Sequence, residues 1–342
     1  MKNNSLRGYF PMLKTKEEVM AAINQNRKLK SVFNSWRTNA QQEFIDFCTG
    51  QRGIKILYDS FFKEVFNPEY APERLNRLLS VILGMKVRII QVLPLDSTRM
   101  GDETSLVTMD IVVELEDKSI VNIEMQKIGY FFPGQRSACY SSDLILRQYK
   151  RIRDTSENFA YSRMKPVYTI VFFENSPQVF KSFPNDYIHI FTQKSDTGLS
   201  LELLQKYVFI PLDIYKQVSH NILNELDAWL TFLSSDSPDD ILYLIENFPE
   251  FKPMYETLFN LCENIEGVMD MFSKELYELD RNTALFMVDD MSREINELKA
   301  ANEEKDNVIA EKDNTIAEKD NTIAELQAKL KELNQNQNKG TN

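Results

Sequence analysis

The chain has 342 residues, 43% of them hydrophobic and 11% aromatic, and a formal net charge of −11 at pH 7. That apolar content supplies one large core or two smaller ones and excludes wholesale disorder. Three scattered cysteines (Cys48, Cys139, Cys262) without CxxC spacing and two histidines (His189, His220) argue against a disulfide framework, a zinc site and most nucleophile–histidine pairs.

No stretch of eighteen apolar residues and no secretory pattern occurs, so the expectation is a soluble, cytoplasmic protein with no membrane partner. Lys and Arg exceed Asp and Glu by 5 over residues 1–200, while acids lead by 13 over 201–290 and by 3 over 291–342. The acidic excess therefore lies downstream of a mildly basic part, which leaves phosphate binding open there.

Residues 1–50 read as a polar, basic lead-in with one or two short helices ending at Thr49-Gly50. A helix is expected from about Asp59 to Phe66, with Phe61, Phe62, Val65 and Phe66 as its apolar side. After Pro72, acceptable in a first turn, Leu75, Leu78, Leu79 and Ile82 have helical spacing, and Gly84 supplies a stop. "VRIIQVLPL" (87–95) is β-rich. "SLVTMDIVVEL" (105–115), the polar turn "EDKS" and "IVNIEMQ" (120–126) form a hairpin signal. A long amphipathic helix is expected over 133–153. The almost wholly apolar "KPVYTIVFFE" (165–174) suits a strand buried on both faces. The order α–β–β–β–α–β predicts an α/β fold on a small mixed sheet flanked by helices. Weaker strand signals follow at "DYIHIF" and "KYVFIPL", and 220–290 is mostly helical and acidic, broken at "SSDSPDD".

The tail repeats "EKDNVIA", "EKDNTIA" and "EKDNTIA" over 304–324, a period of seven. With Ile309 at a, the a-positions include Ile295, Asn302, Ile316, Ile323 and Leu330. The d-positions include Leu298, Lys305, Lys312, Lys319 and Leu326. Isoleucine at a indicates a coiled coil that would join copies of the chain, whereas lysine at three successive d-positions weakens the seam. A solvated single helix with charged i,i+4 pairs is the other reading. "NQNQNKGTN" reads as a disordered end.

Asp110 interrupts a strand run between Met109 and Ile111, and Glu124 and Gln126 share one face of the following strand. Carboxylates in a buried strand are costly unless paired or metal-bound. Two carboxylates and a polar group at one end of a small sheet make an oxygen-rich pocket suited to Mg²⁺ or Mn²⁺. The competing reading places all three on the exposed face of an edge hairpin. Over 133–153, Arg136, Arg147, Lys150, Arg151 and Arg153 outnumber the single acid Asp143. Arg136 and Tyr140, four apart, share a helix face and could reach the pocket opening to meet DNA phosphates.

"MDIVVELEDKSIVNIEMQ" (109–126) resembles the D-x(n)-(D/E)-x-K signature of PD-(D/E)XK nucleases, with Gln126 in the lysine's place. The chain is more specifically similar to the nuclease family of transposases, or recombination-promoting nucleases. "DSFFKEVF" (59–66) matches their D-xx-FK-xx-F opening, and Asp110 with "NIEMQ" matches their hairpin. "RSACYSS" (136–142) matches an R-xx-YY-like helix, and "YSRMKPVYTIVFF" a Y…PV-x-I strand. The resemblance spans about 59 to 175 and implies a restriction-endonuclease-like core that hydrolyses DNA with Mg²⁺ or Mn²⁺. It implies Asp110 and Glu124 as metal ligands, and Gln126 as the group that orients water or stabilises the transition state. Asp59 is a further candidate ligand, with N-cap of its helix as the alternative, and Lys63 one turn on is a candidate phosphate contact. An amide carries neither the charge nor the titration of lysine, although the subgroup itself has Gln there.

The expected organisation is a helical lead-in (1–50), a PD-(D/E)XK nuclease-like domain (51–220) and an acidic helical region (221–287). A heptad-repeat helix (288–333) and a disordered tail (334–342) complete it. The expected function is a metal-dependent DNA endonuclease of low sequence specificity, since no recognition-helix or zinc-finger pattern is visible. The alternative is a weak or inactive nuclease-fold protein that serves as a DNA-binding or oligomeric scaffold.

Overall fold

The structure, a computed structural model, describes residues 6–93, 111–127, 133–155, 159–218 and 221–339. It divides into two compact units, Met1–Thr283 and Ala284–Asn342. Asp110 lies outside the described residues.

The first unit begins with α1 (Lys16–Gln25), α2 (Arg27–Ser35) and α3 (Thr38–Thr49). These are three helices where one or two were expected. The break between the first two comes from Asn26, which ends α1 and whose side chain accepts from the Lys28 and Leu29 N–H groups to start α2. Gly50 ends α3 at φ 69°, and a Cβ there would lie 2.5 Å from Leu13, so both conformation and space call for glycine. Next come α4 (Asp59–Val65) and α5 (Pro72–Leu83), the latter with Leu75, Leu78, Leu79 and Ile82 buried as the spacing predicts.

The sheet then forms from β1 (Ile89–Val92), β2 (Ile111–Leu115) and β3 (Ile120–Gln126). After α6 (Pro133–Thr155) comes β4 (Val167–Phe173), then α7 (Gln178–Lys181), β5 (His189–Phe191) and β6 (Gln205–Pro211). Their order in the sheet is β1-β2-β3-β4-β6-β5. β2 and β3 are the expected antiparallel hairpin, with Val112 opposite Asn122. β3, β4 and β6 run parallel, and α6 makes the crossover that a parallel β3–β4 pair needs. β5 lies antiparallel at the edge. β4 is covered on both faces, which accounts for its almost wholly apolar sequence.

Alternation along the strands sorts side chains into two layers. Ile111, Val113, Val121, Ile123, Ile170, Phe172, Val208 and Ile210 face a large aromatic-rich core. That core also takes in α1 to α5 and α8 (Leu212–Val218), α9 (Glu225–Ser234), α10 (Pro238–Asn247) and α11 (Lys252–Asn260), with the start of α12 (Ile265–Lys339). The alternate residues face α6, where Val112, Ile120 and Val167 pack on Tyr140 and Leu144. Farther along the same face, Val171, Phe173 and Phe209 pack with Phe180 of α7. The result is an α/β fold with a small mixed sheet between helical layers, as expected.

In the second unit α12 continues as one helix to Lys339. The a-position residues Ile295, Ile309, Ile316, Ile323 and Leu330 are exposed along it. Among the described residues no helix is long and apolar enough to cross a membrane.

Candidate active site

The hairpin's second strand carries polar residues into the layer beneath α6. Asn122, Glu124 and Gln126 alternate with Val121, Ile123 and Met125, and all three polar residues are buried, at 0%, 3% and 5% exposure. The exposed-hairpin alternative therefore does not hold for Glu124 and Gln126, because β3 lies inside the sheet and α6 packs on that face. Asn122 Nδ2 donates to Glu124 Oε1 at 3.0 Å, which satisfies part of the carboxylate's hydrogen-bonding demand. Gln126 is different. Among the described residues neither Nε2 nor Oε1 of its amide has a hydrogen-bond partner, and leaving such a group unpaired costs about 1–3 kcal/mol. Thr169 Oγ1, on the register partner of Asn122, and Ser141 Oγ, on α6, are likewise without partners. The layer is thus supplied with oxygen and nitrogen atoms beyond what the fold itself uses.

α6 lies over this layer. Its guanidinium at Arg136 sits 5.3 Å from the centre of the Tyr140 ring, which is itself buried. Of the other basic residues, Arg147 pairs with Asp143 at 2.7 Å and Arg151 pairs with buried Glu114. They are anchored to the fold, so the face is less of a free basic surface than the residue count suggests.

The C-terminal end of β3 meets a second constellation. Lys127 follows Gln126, points away from the α6 layer and forms a buried ion pair with Glu275 of α12. Its ammonium also lies 4.6 Å from the centre of the Tyr58 ring. Glu275 accepts from the N–H groups of Asp59 and Ser60 at 3.2 and 2.9 Å. A carboxylate there matches the positive end of a helix, and Tyr58, in the cap position of α4, offers no capping side chain. The Tyr58 phenol donates to Glu43, and burial together with that carboxylate holds it well above its ordinary pKa.

Asp59 occupies the first turn of α4 rather than its cap, and its carboxylate pairs with Lys63 at 2.9 Å. The N-cap alternative is corrected accordingly. Glu124 and Gln126 come together with Asn122 on one face of β3, and Tyr140 and Arg136 lie on the helix that covers that face. Asp59 and Lys63 belong to α4, in the opposite layer, and reach the end of β3 through Glu275 and Lys127. Among the described residues no three His, Cys, Asp or Glu side chains gather into a cluster that could hold a metal ion.

Sequence reasoning passed over Asn122, Lys127 and Glu275. Asn122 had the same two-residue signal as Glu124 and Gln126. Lys127 had only its adjacency, and Glu275, 148 positions away, had no local signal.

Against known proteins, a family model described as PD-(D/E)XK nuclease family transposase matches residues 56–287. No curated protein and no solved structure matches the chain.

Proposed function

The chain belongs to the PD-(D/E)XK nuclease family of transposases, and on that premise we propose that it is a metal-dependent DNA endonuclease serving recombination or transposition. The observation that carries this reading is the pairing of a buried carboxylate, Glu124, with a buried and partnerless amide, Gln126, on one strand face. A fold keeps such groups at a cost, and a ligand that meets them returns the missing interactions.

The donor set suits Mg²⁺ or Mn²⁺, which prefer hard oxygen ligands. Glu124 would hold the ion, with Asp110 as the second carboxylate. Asp110 immediately precedes Ile111, whose partner on β3 is Ile123, the neighbour of Glu124. Asp59 is a further candidate ligand. When bound, the ion supplies an acidified water and neutralises charge on the scissile phosphate. Gln126 would orient the water through Oε1, or a phosphate oxygen through the Nε2 N–H groups, since an amide can hold a proton-bearing group but does not take its proton. Arg136, Lys63 and Tyr140 would position the DNA backbone without reading its sequence, which fits low specificity. We assign catalysis to 51–220, after the lead-in of 1–50 and before the acidic helices of 221–287. Homo-oligomerisation is assigned to the heptads of 288–333, ahead of the 334–342 tail, in a cytoplasmic protein.

The test is nicking of supercoiled plasmid with Mg²⁺ or Mn²⁺. Activity in the wild type that falls to background in both Asp110→Ala and Glu124→Ala supports the assignment. Equal nicking by all three would trace the cleavage to something other than this site.

One observation favours a second reading, a nuclease-fold protein that binds DNA without cutting it. The lysine nearest Gln126, Lys127, spends its ammonium on Glu275, so it does not replace the charge that the amide lacks. This reading expects DNA binding with no nicking in either metal.

A further inference from the structure

A groove of about 850 Å³ lies at the β5 edge of the sheet, bounded by Pro133, Gly134 and Ala138 of α6 and by α7. Rings make up much of its wall (Phe180, Phe183, His189, Phe191, Tyr207 and Phe209), and aliphatic residues together with Thr192 and Gln193 complete it. No Lys, Arg, Asp or Glu lines it among the described residues. The imidazole of His189 sits between Phe180 and Phe183, with ring centres 5.1 and 5.8 Å away, and its Nε2 has no hydrogen-bond partner. Phe183 and Phe191 are half exposed, at 52% and 50%.

The register ties this groove to the candidate active site. Glu124, Val171, Phe209 and His189 are successive register partners on β3, β4, β6 and β5. Asn122, Thr169, Tyr207 and Phe191 form the next such row. Register partners share a sheet face, so the aromatic groove and the buried carboxylate lie on the same side of the sheet, with Val171 and Phe209 between them. Three strand spacings of about 4.8 Å put His189 about 14 Å from Glu124 in backbone terms. That is about four base steps of 3.4 Å along a stacked strand, and fewer along an extended one. Arg136 lies within the α6 turn that borders the groove.

We propose that this groove receives an unpaired nucleobase of the DNA, so that the substrate is single-stranded or locally opened beside the scissile phosphate. This rests on the nuclease reading and adds the substrate class to it. An uncharged, ring-lined site excludes phosphate and favours a planar heterocycle, whose faces stack on Phe and Tyr. The side chains of Thr192 and Gln193, also in the wall, give the base edge hydrogen-bonding positions, the combination of apolar walls and few polar groups that ligand sites use. The sugar–phosphate chain remains outside, toward Arg136 and the site.

The experiment is fluorescence anisotropy with the full chain in EDTA, so that nothing is cut. The probes are a labelled oligothymidylate, a base-free strand of equal length and a duplex. Phe183→Ala and Phe191→Ala, both at exposed positions, are each expected to weaken oligothymidylate binding about tenfold, the usual scale of one lost stacking partner. They should leave the base-free strand unchanged, and the ring-retaining Phe191→Tyr should restore affinity. If both alanine variants bind oligothymidylate as the wild type does, the groove assignment is overturned while the nuclease reading stands. Equal loss on the base-free strand also overturns it, because the backbone would then be the ligand. A wild type that binds neither strand nor duplex overturns the groove assignment, and plasmid nicking with metal then decides the nuclease reading by itself.

Discussion

Lys127 and Glu275 form an ion pair with both side chains almost fully withdrawn from solvent, at 7% and 3% exposure. One partner closes the strand that carries Glu124 and Gln126. The other lies on α12 and also receives two N–H groups of α4. Removing one member of a buried pair leaves an uncompensated charge, which typically costs about 3–5 kcal/mol. Glu275→Ala should therefore lower unfolding free energy in urea by about that amount, as should Lys127→Ala. In the double variant the losses should be well below additive, because no lone charge remains. Fully additive losses would mean that the two residues do not stabilise each other.

Gln126→Leu should separate stability from function. It replaces a partnerless buried amide with an apolar group of similar size and should raise stability by about 1 kcal/mol. Plasmid nicking should fall to background in the same variant. A drop in stability instead would show that the amide has a structural partner.

Divalent metal should raise the melting temperature of the wild type. Ion at about a hundred times its Kd adds about 2.7 kcal/mol to the folded state. Glu124→Ala should abolish the shift, and EDTA should reverse it in the wild type. An equal shift in wild type and variant would place the ion elsewhere.

The exposed row Ile309, Ile316 and Ile323 should hold copies of the chain together. Replacing all three by Asp should reduce the mass measured by sedimentation to that of one chain. The opposite change, Leu at Lys305, Lys312 and Lys319, should tighten the assembly, because apolar residues then occupy both seam positions. A wild type that already sediments as a single chain at all concentrations would remove the oligomer from the proposal.

Much of this was readable from residue spacing. Leu75, Leu78, Leu79 and Ile82 are buried on α5, and Gly84 ends it at φ 64°. The alternation that put Glu124 and Gln126 on one face is the alternation of β3. What escaped notice depends on contacts that local pattern does not encode. Glu275 caps α4 from more than two hundred positions away, so nothing near Asp59 announces it. Arg147 and Arg151 read as an open basic face until their partners Asp143 and Glu114 are seen. Asn26 ends one helix and starts the next through one side chain, a double use that a propensity reading merges into a single element.

The trans-acting cap on α4 bears on how this gene can be cut. A fragment that stops at residue 220 contains every strand among the described residues and looks self-sufficient on paper. It lacks the carboxylate that neutralises Lys127 and anchors the start of α4, and it lacks Trp229, Phe251 and Phe259 from the shared core. Recombination that exchanges C-terminal segments between relatives would therefore keep the fold only when the crossover lies beyond the first turns of α12.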